Sequence, residues 1–253
     1  MRKTLVLLFA LFCFVAQAET IPVPGTEYEA RVRVYENPSK DQRGTVLILN
    51  GCDGPGQMHY YSWAKYLQEY GFNAIIVDSF TTRNLRNICP VKGNGKYSHD
   101  SAPDAVAVAK WAKTQKWSNG NVAVVGFSLG GITSLALATT AYGEIDSAVA
   151  FYPTCQERFQ QRELTIPLQV HIGTEDQWTD ANRCRALQES SNFKDAEFNY
   201  YTNAHHLFDE YGSGSAVCFK GVPCWYGYNE EANTLSRQRV KEFLDLTIGK
   251  LKL

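Results

Sequence analysis

The sequence has almost no excess of charge of either sign. It contains 25 Lys and Arg residues against 26 Asp and Glu residues, which gives a formal net charge of −1 at pH 7. No segment concentrates Lys and Arg into a basic patch. Proteins that bind the phosphate backbone of nucleic acids need such a patch. The composition therefore argues against a nucleic-acid partner.

The sequence also lacks internal repeats, low-complexity tracts and recognisable interdomain linkers. Its 253 residues suit one large α/β domain. With 44% hydrophobic and 20% charged residues, the composition is that of an ordinary globular protein. We therefore expect one folded domain with a sizeable apolar core.

The N-terminus has the pattern of a secretory signal peptide. Arg2 and Lys3 precede an apolar run over residues 5–15, and residues 16–18 then read Ala-Gln-Ala. Small residues at these two alanine positions are typical of a cleavage site. We predict a signal peptide over residues 1–18 and an exported domain over residues 19–253, periplasmic or secreted. The alternative is an uncleaved membrane anchor. The apolar run is short for a transmembrane helix, which argues against this alternative.

The predicted export changes how the cysteines are interpreted. One of the seven, Cys13, lies in the predicted signal peptide, and the mature chain keeps Cys52, Cys89, Cys155, Cys184, Cys218 and Cys224. An even number in an exported protein predicts disulfide bonds, with free buried thiols as the alternative. Cys218 and Cys224 bracket a short loop and form the most local candidate pair. No C-x-x-C pair exists, so neither a zinc site nor a thioredoxin-like motif has support.

Short apolar runs rich in β-forming residues alternate with segments of helical periodicity. The predicted strands cover residues 28–35 (an edge strand), 45–49, 74–77, 121–125, 148–151, 168–172 and 197–201. The predicted helices cover residues 59–70, 100–116, 129–142, 180–191 and 229–246, with Pro103 in a first turn. This alternation predicts an α/β fold with a mostly parallel, doubly wound sheet and helices on both faces. In such a fold we expect the catalytic residues in the loops at the carboxyl ends of the strands.

Residues 126–130 read Gly-Phe-Ser-Leu-Gly and match the G-x-S-x-G motif. A predicted strand enters the motif and an apolar helix leaves it, as a nucleophile elbow requires. Glycines two residues before and after the serine leave room for so tight a turn. Ser128 is therefore a candidate nucleophile, and an ordinary turn with an N-cap serine is the alternative.

A serine nucleophile needs a base, and the base needs an orienting acid. In this fold the chain order is serine, acid, histidine. His59 and His99 precede the serine, and His171 lies inside a predicted strand. That leaves His205 and His206, between which spacing alone does not choose.

The acid is expected in the polar turn that follows the strand 168–172. Glu175, Asp176 and Asp180 are the candidates, and Asp180 also has the position of a helix N-cap. The oxyanion needs two backbone donors. We expect one at Leu129, directly after the nucleophile, and the other at Cys52 in the small loop 50–54. A nucleophilic role for Cys52 itself is a rival that no elbow supports.

Over residues 45–246 the chain resembles the dienelactone hydrolase family of the α/β hydrolases. The resemblance rests on the loop 50–54, the strand 74–80, the elbow, residues 173–176 and residues 201–209. The last stretch is similar to the family pattern Tyr-x-x-Ala-x-His-x-Phe-Asp. This resemblance implies an α/β-hydrolase fold with Asp176 as the acid and His206 as the base. Dienelactone hydrolases proper use a cysteine nucleophile, whereas this chain has Ser128.

Together these features predict a serine hydrolase that cleaves small-molecule carboxylic esters or lactones through an acyl-enzyme. No metal or organic cofactor is implied. A noncatalytic binding protein of the same fold and a peptidase are the alternatives. The segment 218–228 contains Phe219, Trp225, Tyr226 and Tyr228, which we interpret as packing rather than as an aromatic wall or lid near the base. Arg83 and Arg86 are interpreted as solvated rather than as an anion site.

Overall fold

The computed structural model describes residues 17–38, 43–91, 93–217 and 223–249. The strands are β1 (Gln17–Pro22), β2 (Glu29–Tyr35), β3 (Thr45–Leu49), β4 (Asn73–Asp78), β5 (Val122–Phe127), β6 (Ser147–Phe151), β7 (Leu168–Gly173), β8 (Glu197–Tyr201), β9 (Ser213–Val217) and β10 (Pro223–Gly227). The helices are α1 (Met58–Glu69), α2 (Tyr97–Lys113), α3 (Leu129–Ala138), α4 (Ala181–Gln188) and α5 (Glu230–Thr247). Short 3₁₀ helices cover Thr81–Arg83, Asn94–Lys96, Glu157–Gln161 and Ser191–Phe193.

The first eight strands form one sheet in the order β1-β2-β4-β3-β5-β6-β7-β8. From β4 to β8 every neighbouring pair is parallel. At the other edge, β2 runs antiparallel to β4 and β1 runs antiparallel to β2. The predicted α/β-hydrolase fold with a mostly parallel sheet is confirmed.

The parallel strands are apolar because helices cover both faces of the sheet. Every residue of β3 is buried. Since side chains alternate along a strand, Val46 and Ile48 pack into one core with α1 and α5. Leu47 and Leu49 pack into the other core, which includes residues of α2, α3 and α4. A continuous apolar run is the sequence pattern that such two-sided burial requires.

Some predicted features of the elements are wrong. The strand β2 is not an edge strand, because β1 pairs with its residues 29–34. Pro103 lies inside α2 rather than in its first turn, because the 3₁₀ helix Asn94–Lys96 leads into a helix that begins earlier. Helix α3 ends at Ala138, whose carbonyl accepts a hydrogen bond from the Thr165 amide (2.8 Å).

The strands β9 and β10 form a separate antiparallel hairpin that the sequence did not predict. Tyr226 of β10 forms a β-bridge with His206, and the Gly227 amide donates to the His206 carbonyl at 3.1 Å. The hairpin therefore fixes the backbone of the loop that follows β8.

Most of the predicted signal peptide, residues 1–16, lies outside the described residues. Its last two residues, Gln17 and Ala18, begin β1. Among the described residues no helix is both long and apolar enough to cross a membrane.

Candidate active site

Four loops at the carboxyl ends of neighbouring strands form the candidate site. The elbow serine Ser128 follows β5, and Cys52 follows β3. Asp176 follows β7, and His206 follows β8. Because parallel strands end at the same edge of a sheet, residues far apart in the chain meet there.

The elbow is a tight, strained turn. Ser128 has φ 52° and ψ −107°, a backbone conformation that is costly for a residue with a side chain. Its amide donates to the Phe151 carbonyl at 3.0 Å. A Cβ atom at Gly126 would overlap the Gly130 carbonyl, and one at Gly130 would overlap the Leu49 carbonyl. Both glycines of the motif are therefore required by close backbone approach.

Ser128, His206 and Asp176 lie in one hydrogen-bonded row. Nε2 of His206 is 3.1 Å from Oγ of Ser128, and Nδ1 of His206 is 2.7 Å from Oδ2 of Asp176. The amides of Trp178 and Thr179 both donate to Oδ1 of Asp176 at 2.8 Å. With Asp176 accepting a hydrogen bond from the protonated Nδ1, Nε2 is free to accept the serine proton.

The other candidates for the acid and the base are exposed or make other contacts. Glu175 and Asp180 are exposed, and Asp180 caps α4 by accepting a hydrogen bond from the Asn182 amide (2.9 Å). Nδ1 of His205 lies 3.0 Å from the carbonyl oxygen of Glu175. Of the acid and base candidates on these two loops, only Asp176 and His206 belong to the hydrogen-bonded row that reaches the elbow serine.

His171 is a packed strand residue, as its position in a predicted strand indicated. Its Nδ1 is 2.7 Å from the Tyr201 hydroxyl, and its Nε2 is 2.8 Å from Oε1 of Gln169. Complete burial lowers the pKa of His171 to about 3. This histidine is therefore neutral at neutral pH.

The two proposed oxyanion donors have positions that suit the role. The Leu129 amide is the first of α3, where an N–H group has no acceptor within the helix. Cys52 lines the same cavity as Ser128. The neighbouring Gly51 amide already donates to the Tyr60 hydroxyl at 2.7 Å. The described residues offer the Cys52 amide no hydrogen-bond acceptor.

The family profile "Dienelactone hydrolase family" matches residues 32–247. The chain belongs to the dienelactone hydrolase family. Curated carboxymethylenebutenolidases from Pseudomonas putida and Pseudomonas knackmussii are each 28% identical to this family member over 144 residues. These alignments cover 56% of this chain and only 55% of each relative.

Solved structures of family members share the fold. A dienelactone hydrolase-like promiscuous phosphotriesterase from metagenomic libraries superposes with a TM-score of 0.74 at 18% identity, covering 93% of this chain and 99% of that one. A dienelactone hydrolase from Anabaena variabilis gives a TM-score of 0.68 at 15% identity, covering 92% and 98%. At these identities the likeness extends to the fold alone.

This family member has disulfide bonds, one of which lies at the cavity beside Ser128. Cys52 is bonded to Cys89, and Cys155 to Cys184, so the alternative of free thiols is wrong for these four. Cys224 is also disulfide-bonded, whereas its predicted partner Cys218 lies outside the described residues. Since the sulfur of Cys52 is bonded, the structure contradicts a nucleophilic Cys52 thiol.

The bond between Cys52 and Cys89 is expected to support activity as well as stability, because both residues line the cavity at Ser128. Replacing both cysteines with serine should lower the free energy of unfolding by about 2–4 kcal/mol and also lower kcat/KM for an ester. The double serine variant of Cys155 and Cys184 is the matched control, with a loop of 29 residues against 37. It should lose similar stability in urea denaturation yet keep kcat/KM. Equal kinetic losses in both variants would contradict a specific role for the Cys52 loop.

The cavity at Ser128 has a volume of about 360 Å³. Aromatic rings and carboxylates line it beside the candidate residues, notably Tyr60, Trp178, Tyr226, Asp53 and Glu210. The interpretation of the aromatic segment as packing is therefore wrong for Tyr226, because the unpredicted hairpin carries that ring to the cavity. Sequence reasoning missed Asp53 and Glu210, although Asp53 directly follows Cys52 and Glu210 lies in the loop of His206.

Two further expectations concern groups outside the cavity. Arg83 is not a solvated side chain, because it forms two hydrogen bonds with the buried carboxylate of Asp104 at 2.7 and 2.8 Å. Arg86 is exposed, and Phe219 lies outside the described residues. Among the described residues no cluster of three His, Cys, Asp or Glu side chains has the geometry to hold a metal ion.

Proposed function

We propose that this protein is a serine hydrolase that cleaves carboxylic esters or lactones through an acyl-enzyme. Ser128 is the nucleophile, His206 the general base and Asp176 the orienting acid. The observation that carries the proposal is the continuous row from Ser128 Oγ through the imidazole to Asp176 Oδ2, with steps of 3.1 and 2.7 Å. A nucleophile, a base in reach and an oriented base are the three requirements of covalent catalysis by serine.

In the first half-reaction, Ser128 Oγ bonds to the carbonyl carbon of the ester while its proton passes to Nε2 of His206. The backbone amides of Leu129 and Cys52 donate hydrogen bonds to the oxyanion. The tetrahedral intermediate then loses the alcohol, which takes the proton from Nε2. Asp176 stabilises the imidazolium that exists between these two proton transfers.

In the second half-reaction, a water molecule replaces the alcohol. His206 takes a proton from this water as its oxygen bonds to the acyl carbon. Collapse of the second tetrahedral intermediate releases the carboxylic acid and returns the proton to Ser128. A lactone follows the same steps, except that the alcohol and the acid remain parts of one molecule.

Family membership supports the reaction class. The curated relatives are named carboxymethylenebutenolidase, and a butenolide is a cyclic ester. A serine nucleophile fits the cysteine chemistry of this chain, because every cysteine among the described residues is disulfide-bonded. The same disulfide bonds support export, since such bonds persist in oxidising compartments. The predicted signal peptide over residues 1–18 would direct that export.

A fluorophosphonate probe tests the nucleophile directly. It should label the protein once, and peptide mass spectrometry should place the adduct on Ser128. Treatment with a thiol alkylating reagent should leave both the labelling and the ester hydrolysis unchanged. A folded protein that reacts with neither the probe nor a panel of short esters would instead be a binding protein, and the proposal would be wrong.

A further inference from the structure

The cavity at Ser128 has an excess of acidic side chains over Lys and Arg among its described lining residues. The carboxylates of Asp53 and Glu210 both line it, while none of the described residues that line it is Lys or Arg. Arg86 lines only the adjoining groove, which shares Asp53 with the cavity. A substrate bound at Ser128 therefore has carboxylates but no Lys or Arg side chain in the described cavity wall.

One of the two carboxylates, that of Glu210, lies within ion-pair distance of a histidine. Nδ1 of His59 is 3.3 Å from Oε2 of Glu210, and the His59 side chain is only 2% exposed. Although burial lowers the pKa of His59, its interaction with Glu210 and the charges of Asp209, Glu210 and Asp53 raise it overall. Even a protonated His59 supplies only one positive charge against the two carboxylates that line the cavity.

Asp53 has a neutral hydrogen-bond donor at the cavity, and the charge of His59 also acts on it. The Tyr60 hydroxyl donates to Oδ1 of Asp53 at 2.9 Å, and no Lys or Arg forms an ion pair with this carboxylate among the described residues. Burial raises the pKa of Asp53, which shows that its charge is poorly solvated. A cation bound beside it would favour the charged form and relieve that cost.

Aromatic rings complete the surroundings. The ring centroids of Trp178 and Tyr226 are 6.2 Å apart, and both rings line the cavity. Trp178 also lies 5.0 Å from the His206 ring, so these rings are close to the candidate catalytic residues. The faces of Trp and Tyr attract cations and are used in proteins to bind quaternary ammonium groups. Carboxylates and aromatic rings in one small cavity are a combination that suits an alkylammonium group.

We propose that the cavity at Ser128 selects esters that carry an alkylammonium group and discriminates against esters that carry an anion, with Asp53 and Glu210 as the specificity-determining residues. This inference rests on the proposed serine hydrolase function. The anionic ester is disfavoured by like-charge repulsion and by the absence of Lys and Arg among the described lining residues. The cationic ester gains attraction to Asp53 and to the rings of Trp178 and Tyr226.

Three butyrate esters with alcohols of similar size test the proposal on the full-length protein. The alcohols are choline, which is cationic, 3,3-dimethylbutanol, its neutral counterpart, and 2-hydroxyethanesulfonate, which is anionic. Hydrolysis is followed in a pH-stat at neutral pH. The choline ester should have a kcat/KM at least about tenfold above that of the sulfonate ester, equivalent to about 1.4 kcal/mol. Raising the ionic strength should narrow this ratio.

The variants Asp53→Asn and Glu210→Gln should each lower the ratio of cationic to anionic kcat/KM several-fold, and either variant alone is informative if the other misfolds. Glu175→Gln is the matched control, because it removes the same charge from an exposed residue outside the cavity lining. Its ratio should equal that of the parent protein.

Sulfonate ester hydrolysis as fast as that of the choline ester would overturn the proposal. If Ser128 reacted with no fluorophosphonate and none of the three esters were hydrolysed, the proposed function would fail as well.

Discussion

Replacing Ser128 with alanine is expected to lower kcat for a short ester by about 10⁶-fold, and replacing His206 with alanine should lower it by about as much. The double variant should be no slower than either single variant. The two side chains act as one unit through the 3.1 Å contact of Nε2 with Oγ, so removing either removes the activated nucleophile. Residual turnover would come from the oxyanion donors and substrate binding.

The measurement is kcat for p-nitrophenyl acetate, with circular dichroism and urea denaturation as tests of folding. His205→Ala is the matched control, because this neighbouring imidazole lies against the Glu175 carbonyl instead of the serine. It should keep its activity. Additive losses in the double variant would show that Ser128 and His206 act independently, which contradicts the proposed proton transfer.

The sheet was predictable because its central strands are buried on both faces. A strand such as β3 has every residue buried, and this leaves a continuous apolar run that the sequence displays directly. The hairpin of β9 and β10 was not predictable in this way. Its residues have mixed exposure, with Trp225 57% exposed, so no apolar period marks the strands. Its pairing with the loop of His206 is a tertiary contact.

The candidate site was only partly predictable for a related reason. Ser128 lies in a five-residue motif whose glycines are required by close backbone approach. The sequence alone therefore identifies it as a candidate nucleophile. The choice of Asp176 and His206 needed resemblance to a family, because Glu175 and His205 have the same local signals. The partner of Cys52 was not predictable, because 37 residues separate it from Cys89. Such a pairing depends on how distant loops meet.

The presence of carboxylates at the cavity was likewise not predictable from the sequence. Asp53 directly follows a predicted oxyanion donor, and Glu210 follows His206 by four positions in the sequence. Charged residues in loops are ordinarily solvated, so neither position carries a signal by itself. Only the fold places both beside Ser128 and brings His59 of α1 against Glu210. Specificity is therefore the property that the sequence pattern conveys least.

Replacing Asp176 with asparagine should lower kcat by about 10⁴-fold at neutral pH while leaving KM much less changed. The asparagine side chain has nearly the same volume, so the backbone donors from Trp178 and Thr179 can still bind its oxygen. Its amide group would then donate a hydrogen bond to Nδ1 of His206. An imidazole that accepts at Nδ1 carries its proton on Nε2 and is unable to take the proton of Ser128.

Two isosteric variants separate this effect from a general loss of negative charge. Asp180→Asn keeps the N-cap of α4, because asparagine caps helices as well as aspartate does. Glu175→Gln changes an exposed side chain that has no contact with the imidazole ring. Both should retain kcat, whereas Asp176→Asn should also slow covalent labelling of Ser128 by fluorophosphonate, since formation of that adduct requires the same base. Unimpaired labelling and turnover in Asp176→Asn would exclude Asp176 as the residue that orients His206.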